Sequence, residues 1–574
     1  MIDSPRKPTT SATPLPASSR GSIAFDAARL ARAAEWIAAL AAMLLILGLH
    51  LRNYRHAGPL WRDEAQTAAL ATLPAWSDVW QAMPNDSFPP LATAAFRAWS
   101  RVFGDSDASL RKFGFLVGIA ILAAMAGCTL ALYRTGPTVA LALWGMSPIS
   151  IRYGDAVRPY GLGVLWVVLS FGLVAKLLER PTWPRAMLAA LSLIASVQTV
   201  YSSTVLVAAL VTAATLVALA SGRWKLAAIA IALGLAAATS LLPYAGQVRA
   251  ASEWSALTLE DVSFSYVWQR LLDALAEPTS AFAWLWGGCC AAASIVAWRG
   301  CHAMRTQRVR RDALPEVPAA SRERHPASEI SAFAVLVVAL AVPGMLLFFW
   351  WMRVPARAWH YLPTIALLAA ALDAALAGLR NAGAWRIALL ALGLVLGLSA
   401  DFDILDQRQS NLDQIAARLN ERAEPGDLVI VSPWYAGVTF HRYYHGAAAW
   451  TTLPSLETTA LHRFDLLKQR MTEREPLAPL VAQIEAALRS GHRVWLVGGG
   501  WRSIPPGSLA PRIDPAPHPK TGWRPRPYLE TWMLQVKVFL LAHLQTYSHV
   551  PLDRREPISQ LENFELWVTQ GWNP

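Results

Sequence analysis

Between about residue 33 and residue 400 the chain is one apolar run after another, rich in Ala, Leu and Val, with charge confined to the stretches between runs. Hydrocarbon offers no water to backbone amides, so each run must close its own hydrogen bonds as a helix crossing roughly 30 Å of bilayer. The 574-residue chain is 54% hydrophobic and 16% charged, a balance that a soluble protein of this size cannot solvate. The expected class is therefore a polytopic α-helical membrane protein with about eleven transmembrane helices. They are placed near 33–51, 113–133, 137–152, 159–178, 186–201, 203–220, 225–243, 281–298, 330–350, 359–378 and 384–400. Gln198, Tyr201, Ser202 and Ser203 form a polar turn that divides the run 186–220, too long for one crossing.

Lys and Arg accumulate on the cytoplasmic side of membrane proteins. With the N-terminus inside, that side receives Arg134, Lys176/Arg180/Arg185, Arg223/Lys225, Arg380/Arg386 and the arginine-rich stretch 299–328. This anchoring accounts for most of the net charge of +12, and no basic run marks a nucleic-acid partner. Residues 1–30, rich in Ser, Thr, Pro and Ala, read as a disordered cytoplasmic tail, and no cleavable signal pattern follows. Residues 31–400 are the transmembrane domain, with a long outer-face loop at 52–112. An odd number of spans then carries residues 401–574 outside as a periplasmic α/β domain. The expected location is a bacterial inner membrane, multi-pass, with membrane lipids as partners. Strand-like Leu428–Val431, Val494–Val497 and Leu566–Val568 alternate with helix-like Leu412–Leu419 and Ile484–Leu488, the pattern of a small, mostly parallel sheet. None of the four cysteines (Cys128, Cys289, Cys290, Cys301) falls in this domain, so it uses no disulfide and no cysteine zinc site.

Four polar phrases fall on the same outer face. Just past the first span lies Trp61-Arg62-Asp63-Glu64, and later in that loop Asn85-Asp86-Ser87-Phe88-Pro89-Pro90. A turn between spans carries Arg152-Tyr153-Gly154-Asp155-Ala156-Val157-Arg158-Pro159-Tyr160, and another carries Arg353, Arg357 and His360. Adjacent carboxylates at a bilayer surface are costly unless they grip a cation or handle a proton. Acids beside arginines suit a cavity that binds an anionic lipid head group next to a general base. Each phrase also has a purely structural use. Asp63 and Glu64 can cap a helix, Asp86 can initiate a turn before prolines, and Arg158 can pair with Asp155. Arg353 and Arg357 can anchor at head groups, and His360 can simply pack.

In order and spacing these phrases resemble the membrane glycosyltransferases of the GT-C fold, in the family 39-like group of protein O-mannosyltransferases and lipid A aminoarabinose transferases. The motifs are Asp63-Glu64, then Pro89-Pro90-Leu91, then Phe103-Gly104-Asp105-Ser106 with Arg111, then Arg158-Pro159-Tyr160. The resemblance covers roughly residues 30 to 245 well and 330 to 400 loosely. The chain departs from it at Phe88, where relatives often carry His or Asn, and at Ala156, where they often carry Glu. What the resemblance implies is inverting transfer of a sugar, hexose or pentose, from a polyprenyl-phosphate-linked donor to a lipid, glycan or protein acceptor. It assigns Asp63 as base or acceptor-positioning group, with Glu64 supporting it. Asp86 orients the acceptor or shares a divalent metal cation with Asp63. Arg158, Tyr160, Arg357, Arg353 and Asp155 bind substrate, with Arg158 and Arg357 on the lipid phosphate. The metal is optional, because a lipid phosphate is already a good leaving group. The alternative function is a transporter or flippase for a lipid-linked saccharide, which predicts ionisable residues in mid-span and repeated halves. A non-catalytic scaffold is the third.

Overall fold

The computed structural model describes residues 19–255, 262–312, 326–378, 383–501, 509–516, 524–552 and 556–574. Among the described residues, nine helices are long and apolar enough to cross a membrane: Arg29–His56, Asp107–Tyr133, Pro159–Glu179, Ser203–Ala220, Trp224–Ala250, Ala281–Arg299, Ser328–Trp351, Ala358–Ala377 and Gly383–Leu405. The protein is thus a multi-pass membrane protein. Of the two remaining expected spans, 186–201 is a helix of 15 residues, Trp183–Val197. The other, 137–152, is not one helix. A helical turn (Thr138–Ala140) passes into a π turn (Leu141–Gly145), and a new short helix starts at Pro148. Proline lacks the N–H a continuous helix needs, and Ser147 caps the restart by accepting from the Ser150 amide.

The first span, α1 (Ser19–His56), begins inside the segment expected to be a disordered tail, of which residues 1–18 lie outside the described residues. The arginine-rich connection is, for its first part, a continuation of helix Ala281–Asp312; residues 313–325 lie outside the described residues. The loop after α1 folds into α2 (Arg62–Thr72), α3 (Trp76–Ala82) and α4 (Pro90–Phe103), then enters α5 (Asp107–Tyr133). Arg97 of α4 is buried and donates to Ala71 O (3.0 Å) and Pro74 O (2.9 Å), satisfying carbonyls that the end of α2 leaves open.

Arg386 is not the loop anchor that the charge pattern implied. It is fully buried, donating to Glu35 of α1 (2.7 Å), to Asp373 of helix Leu362–Ala377 (3.1 Å) and to Gly136 O (2.8 Å). Asp373 in turn accepts from the Val139 amide (2.8 Å) and the Ala140 amide (3.3 Å) of the broken segment. One guanidinium thereby joins the first span, the last span and the pieces between them.

The soluble part begins past Leu405, where the last membrane helix ends. Its five strands are β1 (Leu428–Ser432), β2 (Ala449–Thr452), β3 (Val494–Gly498), β4 (Leu544–Val550) and β5 (Glu565–Trp572), in the order β2-β1-β3-β5-β4. β1 runs parallel to β2 and β3, with Val429 opposite Trp495, but β5 is antiparallel to both β3 and β4. The sheet is therefore mixed rather than mostly parallel. Helical crossovers enforce the parallel half, while β5 returns from the edge strand with no such crossover. β1 is buried throughout because helices cover both faces. Leu428 and Ile430 pack on one side, and Val429 and Val431 on the other.

Removing the charge of Arg386 leaves two buried carboxylates facing each other. Arg386→Met is expected to destabilise the fold by about 3–5 kcal/mol, seen as a lowered unfolding temperature in detergent. Adding Glu35→Gln and Asp373→Asn to it should recover much of the loss, and an unchanged melting temperature for Arg386→Met alone would refute the triad's structural role.

Candidate active site

The chamber is built on Glu64. At the third position of α2 its carboxylate accepts from the Trp61 amide (3.3 Å), as a helix cap does. It also accepts from Arg111 of α5 (2.9 Å) and from the Val157 amide (2.9 Å), and it is wholly buried. Arg111 donates further to Gly58 O (3.0 Å) and Pro59 O (2.6 Å). Glu64 thus ties together the 58–64 turn, α5 and the 154–158 turn, and the structure gives it a holding role.

The 154–158 turn can approach α5 because α5 is notched. A Cβ at Gly114 would lie 1.9 Å from Asp155 O, and one at Gly118 2.0 Å from the Asp155 carboxylate. Asp155 lies 2.8 Å from His50 Nδ1 of α1, both buried. It does not pair with Arg158, and the carboxylate expected to bind substrate is spent on anchoring the turn. Arg158 is thereby free to point at α2, where it donates to Asp63 O (2.9 Å) and Thr67 Oγ1 (3.0 Å). Its guanidinium lies over the Phe88 ring (4.8 Å) and near that of Tyr160 (5.9 Å), and those rings meet edge to face. Phe88, a departure from the family pattern, is here the aromatic face for the cation. Arg158 Nε is buried with no hydrogen-bond partner.

Asp63 keeps 21% of its side chain exposed, enough for a ligand to reach. Burial raises its pKa, but the charges of Arg62 and Arg158, joined by His462 once that ring is protonated, outweigh it and hold the carboxyl at about 2. Asp86 interacts with both Arg158 and Asp63; burial is the largest influence and pushes its pKa up, while its carboxylate accepts from the Ser87 amide (2.9 Å). His360 also lies within electrostatic range of Asp63 and Arg158, with its ring against Tyr160. Arg357 is exposed at the rim, its amide donating to His360 Nδ1 (2.9 Å). Arg353, exposed and with a left-handed φ of 48°, is not drawn into this group. Of the residues expected from sequence, the structure gathers Asp63, Asp86, Arg158 and Tyr160, puts Arg357 at the edge, and sets Glu64 and Asp155 behind the wall.

The tail domain forms the rest of the wall. Arg62 donates through Nε to Asp63 (2.9 Å), lies over the Tyr435 ring (4.8 Å), and gives its amide to Glu562 (2.9 Å). The His462 amide donates to Gln66 (2.8 Å). The Tyr443 hydroxyl accepts from the Leu60 amide (2.7 Å) and donates to Asp107 (2.5 Å), which also takes Arg442 (2.8 Å). Sequence reasoning missed His462, Glu562 and Tyr435. They lie hundreds of residues from Asp63 in unremarkable loops, and no local pattern sets them apart.

Among the described residues, no group of three or more His, Cys, Asp and Glu side chains is placed to hold a metal. Asp63 and Asp86 are the two carboxylates on offer. A hard cation of the Mg²⁺ kind takes one or two carboxylates together with substrate phosphate oxygens, so the pair fits such an ion only in the presence of an anionic substrate.

No protein-family model matches the chain, and no curated protein matches it. Among the solved structures similar to it are two membrane enzymes. One is ArnT from Cupriavidus metallidurans bound to undecaprenyl phosphate, with 13% identity over 80% of this chain and 92% of that one, at a TM-score of 0.46. The other is the Archaeoglobus fulgidus oligosaccharyltransferase in complex with zinc and sulfate, with 12% identity over 80% of this chain and 67% of that one, at a TM-score of 0.47.

Burial raises Glu562 to about 7, with Ser410 and Arg62 opposing it. The folded chain holds a proton that an ordinary glutamate releases near 4.3. Its stabilisation is therefore complete below that value and is lost as pH rises through about 7. His462, lowered by burial to about 4, acts in the opposite sense: its term is present above its ordinary value and is lost as pH falls through 4. Glu562→Gln isolates the first slope. Relative to that variant, the wild-type melting temperature is expected to fall between about pH 5 and pH 8, and parallel traces would refute the assignment.

Proposed function

We propose that this chain is a membrane glycosyltransferase that moves a sugar from a polyprenyl-phosphate-linked donor to an acceptor at the outer face of a bacterial inner membrane, with inversion. The observation that carries the reading is a largely buried polar cluster in which the partly exposed carboxylate of Asp63 sits beside Arg158, a buried cation with an unpartnered N–H. An unpaired buried donor is costly unless a ligand oxygen meets it. The ordered motifs from Asp63-Glu64 to Arg158-Pro159-Tyr160 supply the second support.

Each residue then has a chemical task. When the bond from the anomeric carbon to the phosphate oxygen breaks, charge gathers on the departing phosphate. Arg158 stabilises it through a pre-oriented fork, and Arg357 extends the positive rim toward the lipid. Positive charge spreads over the sugar ring, and Asp63 faces it as a fixed counter-charge. A carboxylate held near 2 is a weak base. It takes the proton of the incoming acceptor late, once the new C–O bond has made that proton strongly acidic. Asp86, higher in pKa and flanking Arg158, positions the acceptor side. A divalent cation would be held by Asp63 and Asp86 and would add positive charge next to the lipid phosphate.

Asp63→Asn should fold normally and lose about 10²- to 10⁴-fold in transfer. Arg158→Lys should also lose activity, because a lysine cannot keep both the fork and the stacking on Phe88. Both are read as sugar transferred from synthetic polyprenyl-phosphate sugars into a membrane extract. Wild-type rates for Asp63→Asn, or cysteine labelling that maps residues 60–90 to the cytosol, would sink the proposal.

A further inference from the structure

The proposed reaction leaves the chemical class of the acceptor open, and two polar groups beside Asp63 remain unused. The first is Gln66, one helical turn from Asp63 on α2 and 3% exposed. Its Oε1 accepts the His462 amide (2.8 Å). An amide N–H can only donate, so the oxygen of the Gln66 side chain is fixed on that side and Nε2 faces the other way. Nε2 is buried with no hydrogen-bond partner.

The second group is His462 itself, in the tail-domain loop between β2 and helix Phe464–Thr472. Its Nε2 lies 3.2 Å from the Tyr435 carbonyl. A carbonyl can only accept, so Nε2 carries the hydrogen and the neutral ring offers a lone pair at Nδ1. Burial, outweighing the attraction of Asp63, lowers the ring to about 4 and keeps it neutral near pH 7. Trp434 and Phe464 fix the ring edge-on (6.1 and 6.3 Å). Asp63, Arg62 and Arg158 all act on it electrostatically, which places it at the chamber.

A free donor and a free acceptor on adjacent residues match a group that both gives and takes a hydrogen bond. We propose that Gln66 and His462 form the acceptor subsite and that the acceptor nucleophile is a neutral hydroxyl. Before reaction the hydroxyl donates to Nδ1 of His462 and accepts from Nε2 of Gln66, and its single hydrogen turns to Asp63 only as the new C–O bond forms. A phosphate dianion, with no hydrogen to give, would set its charge against the Nδ1 lone pair and against Asp63. The hydroxyl class rests on the glycosyl-transfer reading, and through His462 the tail domain would supply half of the acceptor site.

The test uses the full chain in nanodiscs with a labelled polyprenyl-phosphate sugar, a membrane extract as acceptor, and methyl glucoside and methyl phosphate as small probes. His462→Gln keeps an amide against the Tyr435 carbonyl but removes the Nδ1 acceptor. His462→Asn places an amide oxygen near the Nδ1 position. His462→Gln is expected to raise the acceptor KM about tenfold, the loss of one hydrogen bond, with the donor KM unchanged. His462→Asn is expected to recover most of that loss, and methyl glucoside to compete with the extract where methyl phosphate does not. An unchanged acceptor KM in His462→Gln, equal competition by methyl phosphate, or equal losses in both variants with lowered melting temperatures would overturn the proposal. Saturation-transfer NMR of the two probes reads the subsite without turnover. A methyl glucoside signal that vanishes in His462→Gln, against a wild type that binds the probe but moves no sugar, would fail the transfer reading while upholding a hydroxyl site. No methyl glucoside signal in the wild type would overturn the site.

Discussion

The chamber depends on the buried pair of Glu64 and Arg111. Neither charge can be solvated where it lies, so each is tolerated only because every nearby polar atom is turned toward it. That requirement fixes the geometry: the 58–64 turn, the top of α5 and the 154–158 turn must converge on one point. Arg158 and Asp63, one residue along from the anchored positions on their respective segments, inherit the precision of that convergence. Two neighbouring acids thus divide the work, Glu64 holding the frame and Asp63 facing the opening.

The same division runs through the other polar phrases. Asp155 anchors and Arg158 turns toward α2, three residues apart on one turn. Arg442 and Tyr443 hold Asp107 while His462 reaches the chamber. A functional carboxylate or guanidinium at a bilayer surface needs a rigid mount, and in each case the mount is a second charged or polar group satisfied inside the protein.

Much of this was legible in sequence, and the boundary of legibility has a physical cause. The long helices were readable because length and apolarity are local properties, and β1, β3 and β5 because buried strands are short apolar runs between turn residues. That Asp63, Asp86, Arg158 and Tyr160 belong together was readable because charge at a bilayer surface is costly and therefore informative, and the structure brings the four side by side. Which of two adjacent acids holds and which faces outward was not readable, since that depends on Arg111, 47 residues away. Arg386 looked like a loop cation because its partners, Glu35 and Asp373, come from other helices. The break at 141–148 was hidden by uniform apolarity, which does not distinguish a helix from a π turn and a restart. The direction of β5 was hidden because strand polarity is decided by the connection and not by the strand.

The triad around Arg386 also bears on how the protein is made. Glu35 sits in α1, and its guanidinium partner is 351 residues later in the chain. Until Arg386 is made, Glu35 of α1 lacks its buried partner, and Asp373 joins it before the arginine emerges. α1 and helix Gly383–Leu405 can therefore complete this contact only once the second of them has been made. A chain interrupted before that helix keeps both carboxyls without the guanidinium that pairs with them.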